Sequence, residues 1–163
     1  MKQRRMAYLV TISLAMLFLV GCVQDPVQED LLNYLNNEIA PLAETETQII
    51  DSYDSVVGEN YTSDEELYRV LSEDVMPKYR DFSAKLEEIQ PQTQEVREVH
   101  ELYITAVNKQ YNAIVQMIAA LENQDMNLIV EANEKLSEGR SDIRSFNNSL
   151  ETLAAEHDVE IQY

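Results

Sequence analysis

An all-α fold, an up-down-up-down four-helix bundle behind an N-terminal export signal, is what this sequence predicts. Three observations point to it. Four stretches of about 26 to 32 residues carry apolar side chains at alternating steps of three and four. Short polar breaks separate them, which makes neighbouring helices antiparallel. Glycine and proline are scarce, with 3 Gly and 4 Pro in 163 residues, too few for a turn-rich β fold. The composition, 45% apolar and 26% charged, belongs to one folded domain rather than to a disordered tract. With 12 Lys and Arg against 30 Asp and Glu, there is no surplus of cations to displace phosphate counterions, so nucleic acid is excluded as a partner. The single Cys excludes an internal disulfide.

The first helix opens at Asp25-Pro26-Val27-Gln28, with an acceptor at the N-cap, proline at the first helical position and Gln at the third, and it stops at Gly58. Its seam reads Leu32, Leu35, Ile39, Leu42, Glu46, Ile49, Tyr53, Val56. The second opens on the capping box Ser63-Asp64-Glu65-Glu66, runs through Leu67, Leu71, Val75, Tyr79, Phe82, Leu86 and Ile89, and ends at Gln90-Pro91-Gln92-Thr93. The third carries Val96, His100, Tyr103, Val107, Gln110, Ile114, Met117 and Leu121, and breaks at Glu122-Asn123-Gln124-Asp125, where Asp125 caps the fourth. That last helix shows Ile129, Ala132, Leu136, Gly139, Ile143, Phe146, Leu150 and Leu153. A long three-helix bundle is the alternative if Pro41 splits the first helix. At 1.5 Å per residue the rods are roughly 40 to 48 Å long.

The front of the chain is an address. Residues 1–5 hold three cations, and Met6 to Val20 hold no charge. This run falls short of the about 20 residues that cross a bilayer. It ends in Leu19-Val20-Gly21-Cys22, a tetrad that resembles the lipobox of bacterial lipoproteins. The resemblance implies a diacylglyceryl group, palmitate-like in its chains, on the Cys22 thiol, and cleavage between Gly21 and Cys22. Residues 1–21 are then a removed signal peptide, 22–25 the lipidated Cys and a short tether, 26–157 the bundle and 158–163 a C-terminal tail. Removing the signal takes three of the 12 cations and none of the 30 acids, which leaves −21 on the mature chain. Two acyl chains make a lasting anchor where one does not. The resemblance places the domain on the outer face of the cytoplasmic membrane; its acidity and the short signal suggest a Gram-positive envelope.

Pro41, Pro77 and Gly139 fall at similar heights and predict a kinked waist, since each interior proline removes a backbone hydrogen bond. Around the two prolines the pattern repeats at a spacing of 36, Leu31-x3-Leu35-x3-Ile39-x-Pro41 against Leu67-x3-Leu71-x3-Val75-x-Pro77. Glu46 is the one polar residue of the first seam, and at its height it faces Tyr111, Lys109 or Arg140. A carboxylate turned to a core is costly unless paired or protonated. Two readings follow: a structural ion pair, or a polar waist of Glu46, Tyr111 and Arg140 holding a small cationic or polar ligand.

His100 lies on a core position and His157 at the end of the last helix, both near the membrane end. Neither has a Glu three residues before it, so the carboxylate-and-histidine pattern of metal-binding bundles is missing and no metal or cofactor is expected. No nucleophile, base and orienting acid stand at recognisable spacing, so no enzyme activity is expected. At the tip farthest from the lipid, Tyr61 with Glu59 and Asp125 offers a contact surface for another envelope protein. The sequence therefore predicts a non-enzymatic, lipid-anchored extracytoplasmic bundle with a binding or accessory role. The alternative is a small-ligand or metal binder using the polar waist.

Overall fold

A computed structural model of the chain describes residues 25–161. Four helices follow one another. The first, α1 (26–54), is an α-helix over Pro26–Asn33, a π-turn over Tyr34–Ile39, a 3-10 turn over Ala40–Leu42 and an α-helix over Ala43–Asp54. The second, α2 (64–87), passes from α-helix Asp64–Val70 through a π-turn at Leu71–Val75 into α-helix Met76–Glu87. Both α3 (Gln94–Asn123) and α4 (Met126–Glu156) are α-helical throughout. No strand occurs among the described residues, and none of their helices is long and apolar enough to cross a membrane. The signal segment 1–21, the lipobox with Cys22, the tether up to residue 24 and the last two residues of the tail lie outside the described residues.

The chain turns where the side chains supply caps. Asp25 accepts from the Val27 and Gln28 amides, Ser63 from the Glu66 amide, and Asp125 from the Asn127 and Leu128 amides. The two-residue connection from α3 to α4 places Gln124 in the left-handed region at φ 52°, and the Asp125 amide reaches back to the Ala120 carbonyl at 2.9 Å. Thr93 precedes α3 but gives it no side-chain cap. Its amide and hydroxyl instead both donate to the Asp30 carboxylate at 2.7 Å, tying the foot of α1 to the α2–α3 turn.

Pro41 does not split α1; the helix accommodates it by changing pitch. The Ala40 amide bonds the Leu35 carbonyl and the Met76 amide bonds the Leu71 carbonyl, so the residue before each proline makes an i to i−5 bond. The 36-residue spacing of the sequence pattern is thus realised as one backbone device used twice. A π-turn inserts a residue and rotates the face that follows. Below it Val27 and Leu31 are buried, at its first residue Tyr34 is, and above it Leu42, Ile49 and Val56 are. The uninterrupted heptad reading is therefore one residue out at the foot of α1, and Leu32 is 44% exposed instead of core. Gly139 also departs from expectation. The helix α4 runs straight through it, and a Cβ there would lie 2.5 Å from Gln110 Cγ and 3.4 Å from the Gln110 amide nitrogen. Its role is close approach of α4 to α3, not a break.

Each helix packs on the next, and α3 with α4 form the longest interface, assisted by buried Ala106, Ala113, Ala120 and Ala132. By contrast, α1 and α4 touch sparsely. They are joined at the foot, where the Gln28 side-chain amide donates to the His157 carbonyl at 2.8 Å and His157 Nδ1 lies 2.7 Å from Asp25 Oδ2. Above that clasp the seam between them opens.

Candidate functional site

The opening is a cavity of about 420 Å³ at the waist. Its floor is apolar and aromatic because α2 and α3 turn their seam residues into it: Tyr79 and Phe82 from the former, Val107 and Ile114 from the latter. The walls come from α1, with Glu46, Ile49, Ile50, Tyr53 and Asp54, and from α4, with Leu136, Arg140, Ile143 and Arg144. Ile50 is 51% exposed at the mouth.

Glu46 and Arg140 line the same cavity, as the waist reading requires, while Tyr111 does not. Tyr111 stands behind Tyr79, ring centroids 5.9 Å apart. Lys109 faces away, bound to Asp142 at 2.6 Å and Glu138 at 3.5 Å. No Glu46 ion pair forms among the described residues; its near neighbour is the Tyr103 hydroxyl. Burial pushes the Glu46 carboxyl above its ordinary range, and the Tyr103 hydroxyl opposes that by favouring the charged form. Tyr103 and Tyr79 are held far toward the neutral phenol, first by burial and then by the Glu46 charge. Burial also raises Tyr53, offset by the Arg140 guanidinium beside it.

A line of rings braces this floor. Tyr79 meets Phe82 edge-on at 6.2 Å, Phe82 meets Tyr103 at 6.3 Å, and Tyr103 stacks on Phe146 at 4.4 Å with 6° between planes. Sequence reasoning does not reach Tyr103, Asp54 or Arg144 as parts of the waist. The first occupies a seam position, which periodicity assigns to the core, and the other two sit off the heptad seam, where exposed charges carry no pattern. The useful signal is the number of tyrosines on core positions, since each buried hydroxyl needs a polar neighbour.

The remaining candidates separate. His100 is buried in the lower core, its Nδ1 3.1 Å from the Tyr34 hydroxyl, and burial keeps its imidazole below the ordinary range. His157 is part of the foot clasp and does not join it. No group of three or more His, Cys, Asp or Glu suited to a metal ion exists among the described residues. At the far tip Tyr61 is 48% exposed and donates to Asp64 at 2.8 Å. Glu59 is exposed in the same loop, whereas the Asp125 carboxylate is occupied in capping α4.

No curated protein and no solved structure matches the chain significantly. A family model described as EMYY-motif containing lipoprotein matches residues 3–158, although Glu-Met-Tyr-Tyr does not occur as such in this sequence. With the lipobox at its front and the match running through all four helices, the chain belongs to the EMYY-motif containing lipoprotein family.

Proposed function

We propose that this lipoprotein is a non-enzymatic binding protein on the outer face of the cytoplasmic membrane, held by lipid on Cys22, which captures a small ligand in its waist cavity as an accessory to other envelope components. The observation that carries the reading is the cavity itself: about 420 Å³ of space, lined by apolar and aromatic side chains together with the partly buried Glu46. Its size falls in the range of small-molecule sites, about 300 to 1,000 Å³, and so does its mix of many apolar and few polar groups. The acidity and short signal favour a one-membrane envelope.

The test is equilibrium binding of a small-molecule library to the lipidated protein in nanodiscs, alongside Leu136→Trp, which fills the floor. Ligands that bind the native protein and lose affinity at least tenfold in the variant support the reading. A library in which none discriminates the two proteins rejects it.

A second reading rests on a different place. The tip exposes Tyr61, and α4 begins there with Met126 at 68% and Val130 at 55% exposure, more apolar surface than a solvated cap needs. Contact there with a basic envelope protein would be steered by the negative charge and weaken with salt. Crosslinking in intact cells that recovers one protein, lost on Tyr61→Ala, supports this reading.

A further inference from the structure

The two walls of the waist carry opposite charge. From α1 come the carboxylates of Glu46 and Asp54, and from α4 come the guanidinium groups of Arg140 and Arg144. None of the four is joined in an ion pair among the described residues; Arg140 lies instead beside the Tyr53 hydroxyl. Between them lies the apolar floor of Ile49, Phe82, Val107 and Leu136. We propose that the cavity takes a zwitterionic ligand with an apolar body, of the class of short hydrophobic peptides, its ammonium group toward the α1 wall and its carboxylate toward the α4 wall. This rests on the ligand-binding reading above and assigns its substrate class.

Exclusion matters here as much as attraction. A simple cation entering the mouth gains from Glu46 and Asp54 but meets two arginines. A fatty acid gains from the arginines but carries its charge past two carboxylates. Asp54, Arg140 and Arg144 stand exposed at the mouth and Glu46 is partly buried, so the repulsion is modest at the rim and larger deeper in, and a ligand of either single charge is disfavoured by one wall. A molecule carrying both charges, one at each end of its backbone, satisfies both walls. The apolar floor supplies most of the binding free energy through burial, and the charged walls set the orientation.

The experiment is isothermal titration calorimetry of the full-length lipidated protein in phosphatidylcholine nanodiscs, with empty nanodiscs as the blank. The probes are the dipeptide Leu-Phe, its N-acetyl form, which lacks the cation, and its C-terminal amide, which lacks the anion. The dipeptide is expected to bind, and each capped form to bind at least tenfold more weakly. In Glu46→Gln the difference between the dipeptide and its N-acetyl form shrinks, and in the double variant Arg140→Gln, Arg144→Gln the difference from the amide shrinks. Capped forms that bind as tightly as the dipeptide overturn the charge assignment and leave the cavity reading standing. The charge assignment also falls, again without the cavity reading, if Leu-Phe fails to bind while the neutral dye N-phenyl-1-naphthylamine binds and is lost in Leu136→Trp. If neither Leu-Phe nor the dye enters, both readings fall.

Discussion

The two halves of the bundle solve the same packing problem in different ways. In α3 and α4 the helices are unbroken over 30 and 31 residues, and they approach closely because small residues face each other, with Gly139 against Gln110 at the tightest point. In α1 and α2 each rod contains a π-turn just ahead of a proline, and polar ties hold the lower part in place: Asp30 to Thr93 and Tyr34 to His100. The α3–α4 half is shaped by side-chain size, the α1–α2 half by backbone departures that rotate its apolar face partway along. Where the two halves meet across the α1–α4 seam, the mismatch is left open as the waist cavity.

Substitutions at a few positions press on that contrast. The largest effect is expected at the close approach: Gly139→Leu forces α3 and α4 apart and costs about 3 kcal/mol in urea unfolding, and adding Gln110→Ala recovers part of it. If the variant unfolds like the native protein, the tight contact is not what joins these helices. Next comes Asp30→Ala, which removes a carboxylate accepting two bonds in a mostly buried place and costs about 2 kcal/mol. Amide exchange should then quicken in α1 and the α2–α3 turn while α4 keeps its protection; uniform loss would erase the distinction between halves.

Tyr34→Phe is expected to cost about 1 to 2 kcal/mol, because the buried His100 Nδ1 loses its partner. The pH dependence has a definite sign. With the folded-state pKa of His100 below the ordinary 6.5, the unfolded chain binds more protons, so stability falls as pH drops below about 6.5. Glu46 acts the other way. Its carboxyl is raised above 4.5, so its contribution is present in acid and lost as pH rises through the folded value. Glu46→Gln should therefore raise the unfolding midpoint at neutral pH and not in acid, while His100→Leu should flatten the loss between about pH 7 and 5.

The smallest change is expected at Pro77→Ala. In a regular helix interior that exchange would stabilise by about 3 kcal/mol. After a π-turn the proline lacks little that the backbone there could use, so the change should stay within about 1 kcal/mol. A gain near the full helical value would show that the proline, not the surrounding packing, imposes the turn.

The four rods and their caps can be read from the chain because they rest on local rules. Asp25, Ser63 and Asp125 are cap residues followed at once by apolar periodicity, and each caps as expected. The π-turns are only half visible. Steps of four in a row, 67 to 71 to 75 to 79 and 31 to 35 to 39, mark an inserted residue, but a strict heptad reading absorbs them and misplaces Leu32. At the waist Glu46 is foreseeable, since a charge in a seam demands explanation, and Arg140 follows from its height opposite Glu46. Tyr111 is misplaced, because height along a rod says nothing about which of two adjacent faces a ring takes. Arg144 and Asp54 cannot be reached at all from periodicity. Their place in the lining comes from α1 and α4 standing apart, which is a property of the assembled bundle.

Asp25 caps α1 and also holds His157, so a single side chain fastens the start of the first rod to the end of the last. Only three peptide links separate it from Cys22, the proposed anchor, a span of about 11 Å at most. Glu46 stands 20 residues above Pro26, about 30 Å up the shaft from that clasp. On the proposed binding role, a ligand of the waist would enter well above the clasped end of the bundle, from the side where α1 and α4 stand apart.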